Sequence, residues 1–374
     1  MAPLLSLCMI VKNEAHQLRR CLTSVQPWVD EIILVDTGSE DDTVAIAGEF
    51  TPHVYAVEWQ QDFAAARNYS LQWATGEWIF YIDADEELIV TDSHWRSQLL
   101  DQGIDCFSVL RQEAGTHHNW SDFANVRFAR RQPGLRFVGA LHEQLNTAQG
   151  KVGALKGIHL LHHNQQTQEQ FLKKIRDRNI PILEQMVQRG DRRLMNLVCL
   201  GDHYAACGRT EQSRDWYHQA LDAIAEDIEQ QRLPQETTWL RHLLFWATYT
   251  AFEAKDYDTA QYYASYGLRY FNAYPPLLYA AGLIVFELGL PRGALPYFHR
   301  CLDLFSRGTY DRSEPFDRQW MTTQPAYSLG FTYMTLQEQE RAITYFQKTL
   351  EFNPHYQPAQ QHLQHLLSAT APSG

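Results

Sequence analysis

Short apolar runs alternate with amphipathic stretches over the first 165 residues. Apolar runs at 4–11, 31–37, 53–59 and 77–85 end in polar residues or glycine, which is typical of buried strands. The stretches between them, 13–25, 41–49 and 63–74, have helical spacing. This alternation predicts a parallel α/β sheet with crossover helices. Ligands of such sheets bind at the carboxyl ends of the strands.

Beyond residue 165 the strand pattern gives way to helical periodicity. An amphipathic helix is predicted over 168–189, followed by four copies of one helix-pair pattern between 194 and 370. The step from Ala260 to Ala294 is 34 residues, the period of tetratricopeptide repeats, and the steps of 47 and 48 on either side require insertions near 225–237 and 305–320. We therefore predict three parts: an α/β domain (1–165), a helical linker (166–193) and tetratricopeptide-like repeats (194–370).

Composition and charge narrow the class of protein. The 374 residues suit two domains, and 45% hydrophobic and 20% charged residues are typical of a folded chain. The net charge of −12 argues against a nucleic-acid partner. Six cysteines without a C-x-x-C pair predict reduced thiols and a cytoplasmic protein. We expect neither a signal peptide nor a transmembrane segment, since no apolar run reaches about 18 residues.

Acidic residues stand at the ends of two predicted strands. Asp83-Ala84-Asp85 can hold Mn²⁺ or Mg²⁺; the alternative is a solvated turn before a helix beginning at Glu86. Asp36 precedes Thr-Gly-Ser, a turn suited to ligand binding by backbone amides; the alternative is a helix cap. Two such sites in one sheet favour a nucleotide pocket.

The segments "SLCMIVKNEA", "DEIILVDTGSEDDT", "DFAAARN" and "ATGEWIFYIDADEEL" together resemble the family 2 glycosyltransferases, which have the GT-A fold. The subgroup suggested continues into tetratricopeptide repeats and includes bacterial transferases that modify peptides. This region is also similar to lipopolysaccharide-core transferases. The resemblance is dense over about 4–90 and thinner over 125–165. It implies a nucleotide-diphosphate sugar, expected to be a UDP-sugar, as donor.

The same resemblance implies roles for individual residues. Val11, Asn13 and Glu14 would line the nucleoside, and Asp36 would accept a hydrogen bond from uracil or ribose. Arg67 would lie beside the base and the phosphates; its alternative is a surface helix residue paired with Asp62. Asp83 would lie near the ribose, with a possible share in metal binding, and Asp85 would coordinate the metal ion.

Later segments add the remaining candidates. "VRFARR" followed by "LRFVGALHEQL" resembles a family segment in which Arg127 and Arg130 contact phosphate; they could equally be solvated strand residues. Glu143 is preferred over His142 as general base, the alternative being a cap of a helix beginning near Gln144. The segment "IHLLHHN" resembles a histidine-containing strand end, so His162 is a further candidate metal ligand, with His163 as the alternative.

These expectations define an inverting transferase that moves a hexose or N-acetylhexosamine to an acceptor, which the repeats would hold if it is a peptide or protein. One alternative is a lipopolysaccharide or cell-wall oligosaccharide transferase. Another is a non-catalytic scaffold with a degenerate transferase domain. The repeats also offer a surface through which two copies could form a homo-oligomer.

Overall fold

The computed structural model describes residues 4–114, 120–146, 150–163 and 166–370. These residues form two compact units. The first comprises 4–114, 122–146, 150–163, 166–192 and 199–214, and the second comprises 120–121, 193–198 and 215–370. The helical linker segment up to residue 192 thus belongs to the first unit. The domain boundaries at 165 and 193 stay predictions.

The first four strands and three helices of the first unit follow the predicted order. They are β1 (Leu5–Val11), α1 (Ala15–Val25), β2 (Glu31–Asp36), α2 (Thr43–Phe50), β3 (Val54–Ala56), α3 (Phe63–Leu71) and β4 (Trp78–Tyr81). Seven further strands complete the unit: β5 (Glu86–Val90), β6 (Cys106–Glu113), β7 (Phe123–Arg130), β8 (Phe137–Val138), β9 (Gln144–Leu145), β10 (Val152–Ala154) and β11 (Ile158–His162). The helix that might have begun at Glu86 is absent, because this segment pairs with β11 as strand β5.

The main sheet is mixed, not wholly parallel as predicted. Its order is β3-β2-β1-β4-β7-β6-β11-β5, with β10 paired to β6. Strands β1 to β4 are parallel to one another, whereas β7 is antiparallel to both β4 and β6. The first half of this sheet is parallel and the second half carries the inserted antiparallel strand. This is the α/β architecture of the GT-A fold, so the predicted fold class is confirmed.

The core of the first unit lies on both faces of β1 and β4. Leu7 and Met9 of β1 and Trp78 and Phe80 of β4 are fully buried. The Phe80 ring stacks on Phe128 of β7, with ring centroids 4.3 Å apart, a contact worth about 0.5–1.5 kcal/mol beyond burial alone. This packing fixes the antiparallel strand beside β4 and so fixes which side chains of β7 reach the end of β4.

The helical segment after β11 is interrupted by a π-turn. Thr167 and Gln170 form a capping box at the start of α4 (Gln168–Lys174). A π-helical segment, Ile175–Asn179, then leads into α5 (Ile180–Gln188). The predicted helix over 168–189 is therefore present, with a local widening of the kind that often lies at functional sites.

The predicted helix pairs appear as α6 (Leu194–Ala206), α7 (Thr210–Glu229), α8 (Leu240–Glu253), α9 (Tyr257–Tyr270), α10 (Pro275–Glu287), α11 (Pro291–Arg307), α12 (Thr323–Thr335) and α13 (Gln339–Phe352), followed by α14 (Gln357–Thr370). Small residues allow close packing within a pair. A Cβ at Gly282 would lie 2.5 Å from the Phe298 ring, and one at Gly330 would lie 2.7 Å from the Phe346 ring. The helical repeat class is confirmed, and the longer connections at 230–239 and 308–322 occupy the places of the predicted insertions.

Candidate active site

A tight turn joins β4 to β5 and carries both carboxylates of the Asp-Ala-Asp motif. The backbone N–H of Glu86 donates to the Asp83 carbonyl at 3.0 Å, and the N–H of Asp83 donates to Glu86 Oε2 at 3.0 Å. Glu86 therefore holds the turn with both its backbone and its side chain. The turn places Asp83 and Asp85 at the carboxyl end of β4, where the sequence predicted a ligand site.

Arginines alternate with carboxylates around Asp83. Arg67 Nε donates to Glu143 Oε1 at 2.5 Å, and Arg67 Nη2 donates to Asp83 Oδ1 at 2.6 Å. Arg127 Nη1 lies 3.5 Å from the other Asp83 oxygen, and Arg127 Nη2 donates to Glu86 Oε1 at 2.5 Å. Both oxygens of Asp83 are thus occupied by guanidinium groups.

The alternation continues toward Asp85. Arg111 Nε donates to Glu86 at 3.1 Å, and Arg111 Nη1 lies 2.9 Å from Glu113. Glu113 Oε2 then contacts His162 Nδ1 at 2.7 Å, and His162 Nε2 lies 3.2 Å from Asp85 Oδ2. We call this series the charge chain; it consists of Glu143, Arg67, Asp83, Arg127, Glu86, Arg111, Glu113, His162 and Asp85, in that order.

Burial strengthens the electrostatic interactions between the residues of the charge chain. The residues Arg67, Arg127 and Glu86 are 6%, 4% and 1% exposed. Although burial raises the pKa of Asp83, the positive charges of Arg67 and Arg127 outweigh it and hold that pKa far below its usual range. Asp83 is therefore a carboxylate at neutral pH, and its charge is balanced by the two arginines that it positions.

One donor group of Arg67 is left over. Nη1 is buried and has no hydrogen-bond partner among the described residues. Leaving a buried charged donor unpaired is costly, so this atom marks a place where a bound ligand would supply the acceptor. The alternative of a surface Arg67 paired with Asp62 does not occur, since Asp62 instead caps α3 by accepting from the Ala65 N–H at 2.8 Å.

The loops after β1 and β2 are joined by hydrogen bonds. Asp36 Oδ2 accepts from the N–H groups of Gly38 and Ser39, each at 3.0 Å. Asn13 lies in the left-handed region, with φ 56°, and its side-chain oxygen accepts from the Glu40 N–H at 2.8 Å. Asp36 thus organises its own turn. Its predicted contact with a nucleoside stays a prediction.

Two further candidates flank the same loops. The Val11 carbonyl accepts from the N–H of Thr37 at 3.0 Å, so the buried Val11 supports the loop through its backbone. The Glu14 N–H donates to Thr43 Oγ1 at 2.7 Å. Glu14 also lines a cavity of 430 Å³ together with Asp85. Donor binding by Val11 and Glu14 stays a prediction.

The structure separates His162 from His163. His162 faces Asp85, whereas His163 Nε2 contacts Glu87 Oε2 at 2.8 Å. Burial lowers the pKa of His162, but hydrogen bonds to Asp85 and Glu113 raise it overall to about 9. A carboxylate on the second ring nitrogen is also what orients histidines that bind metal ions. His163 lines the 430 Å³ cavity with Asp85, so the preference for His162 as metal ligand stays a prediction, supported by its side-chain contact with Asp85.

Asp85 suits a divalent cation better than Asp83 does, and His162 would join it as a ligand by giving up the ring proton that Asp85 and Glu113 favour. Their oxygen and nitrogen atoms are free of arginine, whereas both oxygens of Asp83 face guanidinium groups. Within the residues that the structure describes, no three His, Cys, Asp or Glu side chains form a metal site by themselves. A cation held here would complete its coordination shell with ligand oxygens and water, as Mg²⁺ commonly does.

Glu143 and His142 lie in the loop of the β8–β9 hairpin and not at a helix start, so the helix-cap alternative for Glu143 is wrong. Glu143 Oε1 is held by Arg67. His142 has a left-handed backbone, with φ 52°, and its ring lies 6.0 Å from that of His203. Burial lowers the pKa of His142 to about 4. Glu143 therefore joins the charge chain, whereas His142 packs against His203 and is a weak base.

Arg130 is not brought to this site. Its guanidinium contacts Glu77 and lies over the Trp78 ring, 4.5 Å from the centroid. Trp78 begins β4, and five residues separate it from Asp83, a distance of about 16 Å along a strand. The prediction that Arg130 binds the donor is corrected, because Arg130 lies over Trp78 whereas Arg127 lies over Tyr81, which points to the opposite face of β4.

Several site residues were not predicted. Glu86, Arg111 and Glu113 belong to the charge chain, and Lys174 of α4 lines the 430 Å³ cavity. The sequence could have indicated Arg111 and Glu113, because charged residues two apart on a strand share one face. No such local signal exists for Lys174, which reaches the cavity only through the folding of the linker helix onto the α/β unit. A larger cavity of 840 Å³ lies near Asp30 and His53, away from the charge chain.

Comparison with known proteins supports the interpretation that a glycosyltransferase-like part is followed by tetratricopeptide-type repeats. Residues 6–94 match the family model described as Glycosyl transferase family 2. A TPR repeat-containing protein of Synechococcus elongatus is 46% identical over 140 residues, 37% of this chain and 34% of that protein. The SPbeta prophage-derived glycosyltransferase SunS of Bacillus subtilis is 28% identical over 229 residues, 59% of this chain and 54% of that protein. The chain thus spans about a third to a half of the length of these relatives.

Among solved structures, glucosyl-3-phosphoglycerate synthase from Mycobacterium tuberculosis, in complex with Mg²⁺ and uridine diphosphate, is similar at 25% identity and a TM-score of 0.26. That similarity covers 29% of this chain and 44% of the synthase. No helix in the described part of the chain is long and apolar enough to cross a membrane.

Proposed function

We propose that the chain is an inverting glycosyltransferase. Its first domain matches the glycosyl transferase family 2 model, and its second part is built of tetratricopeptide-type repeats. Its donor is a nucleotide-diphosphate sugar, a UDP-sugar in our proposal, and it moves a hexose or N-acetylhexosamine. Its acceptor is a peptide or protein.

The observation that carries the proposal is the buried Arg67 at the centre of the charge chain. One of its nitrogen atoms, Nη1, has no partner in the described protein, although the side chain is 6% exposed. A phosphate oxygen is the acceptor that a guanidinium group binds best. Asp83 and Glu143 hold the other two nitrogen atoms and so keep Nη1 in a fixed position.

Donor binding is assigned to the carboxyl ends of β1, β2 and β4. The joined loops carrying Asn13 and Asp36 would contact the nucleoside, and Arg67 would contact the diphosphate. Asp85 and His162 would hold a divalent cation, which would neutralise charge on the departing diphosphate. Arg127 has its charge shared between Asp83 and Glu86, so its contribution is to keep these carboxylates in place.

Glu143 is assigned as the general base. Its Oε1 is fixed by Arg67, which leaves Oε2 to take the proton from the acceptor nucleophile. The nucleophile forms its bond to the anomeric carbon on the face opposite the diphosphate. The bond from that carbon to the diphosphate oxygen breaks, and the electron pair leaves with that oxygen. The product is the glycosylated acceptor and a free nucleoside diphosphate.

The repeats support the choice of acceptor. Stacked helix pairs build extended surfaces that bind peptides or partner helices. Several aromatic side chains of the repeats remain partly exposed, including Tyr262, which lines a 320 Å³ cavity. The second candidate acceptor is a lipopolysaccharide or cell-wall oligosaccharide, in which case the repeats would bind a partner protein.

Two experiments test the proposal. The full-length protein is incubated with a panel of nucleotide sugars and Mn²⁺, and released nucleoside diphosphate is measured; release from none of them would reject an enzyme in favour of a scaffold. Mass spectrometry of glycosylated peptides and of glycolipids, from cells with and without the protein, then decides between the two acceptor classes.

A further inference from the structure

The linker helix contributes a cation to the candidate active site. Lys174 is the last residue of α4, immediately before the π-turn, and its side chain lines the 430 Å³ cavity with Glu14 and Asp85. Burial and the positive charge of Arg178 lower the pKa of Lys174, and the negative charges of Asp85, Glu14 and Asp83 act in the opposite direction.

Among the residues that the structure describes, Lys174 has no ion-pair partner, unlike the arginines of the charge chain. Each of those three arginines is shared between two carboxylates: Arg67 between Glu143 and Asp83, Arg127 between Asp83 and Glu86, and Arg111 between Glu86 and Glu113. By contrast, no carboxylate among the described residues lies within the 4.0 Å of an ion pair with Lys174. Its ammonium group therefore keeps all three donors for a ligand.

The surroundings of Lys174 would otherwise repel a diphosphate. Glu14 and Asp85, which line the same cavity, are acidic, and the arginine charges nearby are shared with carboxylates, although Arg67 keeps Nη1 for a phosphate oxygen. A diphosphate brings several negative charges into this region, so a cation reaching into the cavity has a clear electrostatic role. An ammonium group on a flexible stem suits phosphate as a point charge and can follow it as the leaving group departs.

We propose that Lys174 binds the diphosphate of the donor, so that the linker helix, and not only the α/β sheet, completes the donor site. This inference rests on the proposed function. The side chain lies beside Asp85, so it acts on the same diphosphate as the cation that Asp85 and His162 would hold.

The competing explanation is that Lys174 only offsets the negative charges of Glu14 and Asp85. The two explanations differ in how binding depends on phosphate. A contact with the diphosphate weakens binding of uridine diphosphate and leaves uridine unaffected. A purely structural role changes both ligands alike or lowers the unfolding temperature.

The test is calorimetric titration of the full-length protein with uridine and with uridine diphosphate, each with and without Mn²⁺. We expect Lys174→Gln to raise the Kd of uridine diphosphate roughly 10-fold, the worth of one charged hydrogen bond, and to change that of uridine less than about twofold. Lys174→Arg should recover most of the loss. Lys173→Gln is the matched control, because Lys173 is the neighbouring lysine of the same helix, is exposed as Lys174 is, and does not line the cavity.

Equal binding of uridine diphosphate by Lys174→Gln and by the unchanged protein would overturn the assignment while leaving the proposed function intact. So would an equal loss for uridine and its diphosphate. If the unchanged protein binds none of the uridine, guanosine, cytidine, adenosine and thymidine diphosphates, the proposed function is wrong and the role of Lys174 falls with it. If Lys174→Gln does not fold, the Lys174→Arg and Lys174→Met proteins are titrated in the same way and judged by the same comparison.

Discussion

Glu143→Gln separates proton transfer from donor binding. The substitution keeps the size of the side chain and leaves an oxygen that can accept from Arg67 Nε, at present 2.5 Å from Glu143 Oε1. It removes the charge and the ability to take a proton. Asp83 remains 2.6 Å from Arg67 and still balances its charge. Breaking a buried ion pair usually costs about 3–5 kcal/mol, and with one partner retained we expect about 1–2 kcal/mol of stability to be lost.

The expected kinetic effect is much larger than the effect on stability. A positioned general base contributes about 10²–10⁴-fold to the rate, so kcat should fall by that factor, which corresponds to a rise of about 3–5 kcal/mol in activation free energy. The Kd of uridine diphosphate should stay unchanged or fall slightly, because Arg67 loses one of its two carboxylates and has more charge to offer the phosphate.

The assay is steady-state release of nucleoside diphosphate in the presence of acceptor, with calorimetry for nucleotide binding. Glu77→Gln is the control, since Glu77 also contacts an arginine of this sheet, Arg130, but away from the charge chain. His142→Asn tests the rival base; asparagine tolerates the left-handed backbone at this position, and kcat should remain within about threefold. A Glu143→Gln protein with undiminished kcat would refute the assignment. A parallel loss of kcat and nucleotide affinity would mean that Glu143 acts by positioning Arg67.

Three further outcomes follow from the geometry. Asp85→Ala should abolish the gain in uridine diphosphate affinity on adding Mn²⁺ and lower transfer by on the order of 10²-fold or more, and full activity of the unchanged protein in excess chelator would contradict this. Arg130→Ala should cost only about 0.5–1 kcal/mol of stability, through its contact with Glu77, and leave nucleotide Kd within about twofold, measured by denaturant unfolding and calorimetry. Burial raises the pKa of Glu314 to about 7 despite the attraction of Arg241, so the neutral form is favoured in the folded repeats. The contribution of neutral Glu314 to the free energy of unfolding is therefore fully present below pH 4.5 and is lost as pH rises through 7. Thermal scans should show this loss in the unchanged protein but not in Glu314→Gln.

The sequence by itself determined the features that depend on local periodicity. Buried strands such as β1 and β4 have continuous apolar runs, and the helix pairs repeat small residues such as Gly282 and Gly330 where aromatic rings approach closely. The acidic pair Asp83 and Asp85 could be placed at a strand end for the same reason. These patterns depend only on residues close together in the chain, so they can be recognised without knowing which distant segments contact each other.

Only the tertiary structure decided which charges meet. The antiparallel insertion of β7 beside β4 brings Arg127 to Asp83 and carries Arg130 away from it. The pairing of β11 with β5 places the imidazole ring of His162 against the Asp85 carboxylate, whereas the ring of the adjacent His163 contacts Glu87. Partners such as Arg67 and Glu143 are 76 residues apart. Strand order and register, which set such long-range contacts, arise from the packing of the whole sheet, so no local pattern could have assigned these pairs.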